Sequence, residues 1–95
     1  MANLRDLKKD INFLTGEVIE SCFLQKHLGE KDQNSDQEIN QWIEDVIKTR
    51  NDLINKINNP DEEDKKNIKK FYRGIREEMI AKAEEVFQKM EKSEA

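Results

Sequence analysis

Cys22 and His27, in the run SCFLQKH, are the residues of this chain whose types could do chemistry. A thiol near an imidazole suggests a metal site or a nucleophile with its base. Their spacing of five separates them by about 140° on a helix, so they do not share a face. Helical metal sites place ligands three or four apart, and the residue three before His27 is Leu24. The sequence has one Cys and one His, so a zinc site would need several carboxylates or a second chain. Cys22 falls among apolar residues at helical spacing, where a thiol is a small buried hydrophobe. No catalytic, metal or cofactor-binding residue is assigned. The acids occur as Glu17/Glu20, Glu44/Asp45, Glu77/Glu78 and Glu84/Glu85, the pattern of solvated helix faces. No glycine-rich phosphate loop is present.

The remaining candidate is KKNIKKFYRGIR, residues 65–76. Lys65, Lys66, Lys69, Lys70, Arg73 and Arg76 fall on one helical arc of about 140°, with Tyr72 at its edge. Such an arc can hold phosphates, and a tyrosine can stack on a base. Against this, Asp61 and Glu62 precede Lys65 and Lys66 by four, the favourable order for ion pairs, and Glu77 follows Arg73 by four. The net charge is −4, so nucleic acid or anionic lipid would have to be held by this patch alone. Gly74, within the same helical run, is left unexplained by charge pairing, as is Gly16 further upstream. Each costs about 1 kcal/mol relative to alanine in a helix interior.

The elements that would carry these residues are helices. With 40% charged residues, 35% hydrophobic, one Pro and three Gly in 95 residues, the chain is a single all-α domain spanning residues 1–95. The spacing predicts helices over about 4–28, 36–58 and 60–91, joined by short connections into an up-down-up bundle. Asn3 suits the first N-cap and Gly29 the residue after its C-terminus. Ser35 to Glu38 reads as a capping box. Asn59 with Pro60 at the first position reads as the start of the third helix, and the final KSEA is expected to fray.

Helix two confines its large apolar residues to one arc of about 140°. Helix one does not. Beyond the stripe of Leu4, Leu7, Ile11, Leu14, Val18 and Cys22 it carries Phe13, Ile19, Phe23, Leu24 and Leu28 on other sides. Two helices of the same chain cover only part of its circumference. These five residues are therefore the candidate surface for a homodimer or another protein partner. On helix three, Ile80 and Phe87 form a second, smaller side stripe.

The run NLRDLKKDINFLTGEVIESC resembles the start of small, uncharacterised all-helical bacterial proteins of unknown function. That resemblance implies a small cytoplasmic protein and carries no activity. The lone cysteine also fits a reducing, cytoplasmic setting, and no apolar run is long enough to span a bilayer. The sequence thus points to a non-enzymatic helical protein working through protein–protein interaction. The alternative is a nucleic-acid or anion-binding protein using the basic arc.

Overall fold

The computed structural model describes residues 3–28 and 35–94, with side chains over 3–27 and 36–91. Every regular element among the described residues is a helix: α1 (Leu4–Leu28), α2 (Ser35–Asn58), α3 (Glu62–Lys66) and α4 (Ile68–Glu94). The expected residues Gly29, the side chain of Leu28 and the Ser35 cap lie outside what is described.

Helix α1 starts as its sequence implies. The Asp6 N–H donates to Asn3 Oδ1 at 2.8 Å, satisfying one of the amides that a helix start leaves open.

The expected third helix differs in two ways. Asn59 does not cap it; its amide group instead donates back to the Asn55 carbonyl at 3.0 Å, and Asn59 N–H donates to the same oxygen at 3.0 Å. It closes α2 rather than opening the next helix. The start falls two residues later at Asp61. There the Asp61 carboxylate accepts from Asp64 N–H at 2.8 Å, and the Asp64 carboxylate accepts from Asp61 N–H at 3.1 Å. A carboxylate cap satisfied from both sides outcompetes a helix beginning at Pro60.

The second difference is a break. Asn67 leaves helical geometry with φ −139° and ψ 74°. Its side chain accepts from Lys70 N–H at 3.2 Å, so it caps α4 as a new helix. Asparagine competes with helix propagation in this way. The five-residue α3 buries no side chain, so little packing opposes the break. At the other end α4 continues to Glu94, past the expected limit at 91.

One core gathers residues from α1, α2 and α4: Leu7, Ile11, Val18 and Cys22; Ile39, Trp42, Val46, Leu53 and Ile57; Ile75, Met79, Ala83, Val86 and Met90. Leu14, Ile43, Ile54, Phe71 and Tyr72 pack partly against it. Thr15 is buried beside them. Its hydroxyl donates to the Ile11 carbonyl at 2.8 Å and lies 3.8 Å from the Met79 sulfur. The hydroxyl is thereby satisfied within its own helix, which lets a polar residue occupy the stripe.

Polar contacts fix the register around this core. Lys8 reaches Asn58 at 2.9 Å, Arg50 reaches Asn12 at 2.8 Å, and Lys26 reaches Asn40 at 3.2 Å. Between α1 and α4, Arg76 bonds Asp10 at 2.9 and 3.2 Å. Lys56 of α2 sits 3.6 Å from Glu78 of α4. The described chain is elongated, with extents of 50 × 21 × 18 Å. Among the described residues no helix is long and apolar enough to cross a membrane.

Candidate functional site

Three sets of residues were candidates from sequence, and the fold treats them differently. The first is Cys22. It is fully buried in the core, and burial pushes its thiol up to about 11. Desolvation disfavours the thiolate, the form that attacks or ligates. His27 lies on the exposed side of α1. Among the described residues no group of three His, Cys, Asp or Glu side chains comes together as a metal site requires.

The second set is the basic arc. The break at Asn67 removes Lys65 and Lys66 to α3, leaving Lys69, Lys70, Arg73 and Arg76 on α4. Lys66 approaches Glu63 at 4.0 Å, three residues back, instead of the acid four residues back. Arg76 turns across to Asp10 and is half-buried there. Tyr72 is also drawn inward. It packs at the margin of the core with its ring 5.9 Å from that of Phe71, tilted by 41°. It does not stand out as a free platform for a base.

Beside this region lies an open groove of about 700 Å³, between the end of α2, α3 and the start of α4. Its lining includes three cations, Lys56, Lys66 and Lys70, and four acids, Asp61, Glu63, Asp64 and Glu78. The acids outnumber the cations, so the groove does not gather the positive potential that an anion would need.

The third set is the wide apolar surface of α1. Leu7, Ile11, Val18 and Cys22 face the core and are fully buried. On the same helix Phe13 is 64% exposed, Leu24 53% and Phe23 47%. Ile19 is half-buried on the flank. At about 100° per residue, Phe13 and Leu24 lie about 20° apart, three turns from each other. Gly16 and Glu20 sit between them along the outward side. No protein-family model, curated protein or solved structure matches this chain. Its surface must therefore be read from its own chemistry.

That chemistry is uneven along α1. The exposed residues Arg5 and Lys9 stand towards the N-terminal end; Glu17 and Glu20, also exposed, stand further along, with Phe13 and Gly16 between. Apart from the adjoining backbone of its own helix, a Cβ built at Gly16 meets no atom within 4 Å, and the same holds at Gly74 on α4. Neither glycine takes a positive φ. Intrachain packing therefore requires neither of them to be glycine. The sequence carried the exposed aromatics and both glycines, but not the cross-helix pair of Arg76 and Asp10, which only the fold brings together.

Proposed function

We propose that this chain is a non-enzymatic helical protein that acts by protein–protein association, first with a second copy of itself through the outward face of α1. The observation that carries this reading is the exposure of Phe13, Phe23 and Leu24 on a helix whose opposite stripe is already buried. Two phenylalanines and a leucine on one helix form apolar surface of the kind that association covers. The polar register is consistent with an up-down-up bundle: partners of α1 in α2 fall in number as α1 rises, and its partners in α4 rise with it. In that arrangement α2 and α4 occupy two flanks of α1 and leave its third side for a partner. The reduced, buried Cys22 suits a cytoplasmic setting.

Nucleic-acid or anion binding by Lys65, Lys66, Lys69, Lys70, Arg73 and Arg76 has less support. The arc is interrupted at Asn67, Arg76 is engaged by Asp10, and the neighbouring groove is acid-rich.

Light scattering tests the dimer. The expected result is twice the chain mass at micromolar concentration, with Phe13→Glu or Leu24→Glu shifting the protein to monomer while its helical circular dichroism is kept. A wild-type chain that stays monomeric at high micromolar concentration overturns the reading.

A further inference from the structure

We propose that the two copies pair through antiparallel α1 helices, with Phe13 seated over the partner subunit's Gly16 and Lys9 facing the partner subunit's Glu20. This rests on the dimer reading above and specifies its register.

Lys9, Phe13, Gly16 and Glu20 follow spacings of four, three and four. At about 100° per residue they fall within about 60° of one another. That is the spacing of a seam between two packed helices. All four are exposed and lie away from the stripe of Leu7, Ile11, Val18 and Cys22. Reversing this seam about a point midway between residues 14 and 15 lays residue 9 on 20 and residue 13 on 16. A two-fold axis there makes each contact twice.

The chemistry of the seam fits that operation. Lys9 and Glu20 carry opposite charges and have no ion-pair partner among the described residues of their own chain. In a parallel pairing Lys9 would meet Lys9 and Glu20 would meet Glu20, so like charges would oppose the contact. The antiparallel pairing turns both into attractions.

Gly16 supplies the shape. Its missing side chain leaves a space that, apart from the adjoining backbone of its own helix, nothing in the described chain approaches within 4 Å, although glycine weakens a helix. A residue of this kind is used where something comes close from outside. The aromatic ring that the symmetry brings there is Phe13, the most exposed large apolar side chain among the described residues. Residues 9–20 give a contact about 17 Å long.

Sedimentation equilibrium on four samples tests the register: Lys9→Glu, Glu20→Lys, the double variant in one chain, and an equimolar mixture of the two single variants. Each single variant replaces two attractions by two repulsions and is expected to dimerise on the order of tenfold more weakly. The double variant and the mixture restore both pairs and are expected to return to wild-type affinity. A wild-type dimer that the single variants do not weaken, or that the double variant does not restore, overturns this register while leaving the dimer intact. A monomeric wild type overturns both. Gly16→Leu provides an independent reading of the notch. It is expected to raise the thermal midpoint of the monomer and to weaken dimerisation at least tenfold. Dimerisation as tight as wild type by this variant overturns the seating of Phe13.

Discussion

Helices α1 and α4 make nearly the same contribution to the interior and differ on the surface around their glycines, although α4 also exposes Ile68, Ile80 and Phe87. Inside, Leu7, Ile11, Val18 and Cys22 of one stand with Ile75, Met79, Ala83, Val86 and Met90 of the other in a single core. Outside, each helix has an exposed glycine with open space where its side chain would be. Around Gly16 the exposed neighbours include Phe13, Glu20 and Phe23; around Gly74 they include Lys70, Arg73, Glu77 and Glu78. A glycine costs both helices the same intrinsic propensity. Phe13, three residues before Gly16, is 64% exposed, whereas Phe71, three before Gly74, is half-buried against the core. The glycine alone is therefore no marker of an interface; its apolar surroundings are what distinguish it.

The interior half of this comparison should give the largest effect. Ile11→Ala and Met79→Ala each remove a fully buried side chain, and each is expected to cost about 2–5 kcal/mol in urea-induced unfolding. Similar costs would support one shared core. A cost below about 1 kcal/mol for Ile11→Ala would mean that α1 does not contribute to that core as α4 does.

The glycine half is next in size. Gly74→Ala meets no neighbour and regains helix propensity, so stability should rise by about 1 kcal/mol with association unchanged. If Gly74→Ala weakened the proposed dimer instead, the surface that matters would extend onto α4, and the distinction between the two glycines would collapse.

How far these features could be read from sequence follows from the range of the interactions involved. The bounds of α1 and α2 and the buried stripes were legible, because they depend on residue type at spacings of three and four. Asn3 as a cap was legible for the same reason. The start at Asp61 was not, because Asn59 and Asp61 are both acceptable caps and the choice depends on competing bonds to Asn55 and Asp64. The break at Asn67 was hidden by a charge pattern that reads as one continuous helix. Thr15 lies in the apolar stripe by position, but a pattern of apolar residue types does not include a hydroxyl. Asp10 and Arg76 are 66 residues apart, and no local pattern announces such a pair. For the candidate surface, the sequence supplied Phe13, Phe23 and Leu24, while the exposure that makes them a surface comes from where α2 and α4 pack.

The smallest expected effect concerns charges on the two outward faces. On α4 the Lys82 ammonium donates to Glu85 at 2.8 Å. That hydrogen bond first, then the charge of Lys82, holds the Glu85 carboxyl below its ordinary value, with Lys89 assisting and Asp45 opposing. A carboxyl lowered in the folded state stabilises the fold above its unfolded value of about 4.3, and this contribution is lost as pH falls through the lower folded value. Because the Glu85 carboxyl is open to water, the effect should be only a few tenths of a kcal/mol, by the order of magnitude of surface ion pairs. Lys82→Met keeps an apolar stem and should slightly flatten the acid-side fall in stability. On α1, Lys9 has no carboxylate partner within the described chain, so Lys9→Met should leave that slope unchanged when the protein is dilute enough to be monomeric. An equal change from Lys9→Met in the monomer would mean that Lys9 is already engaged within its own chain, and the charge available to a second α1 would be gone.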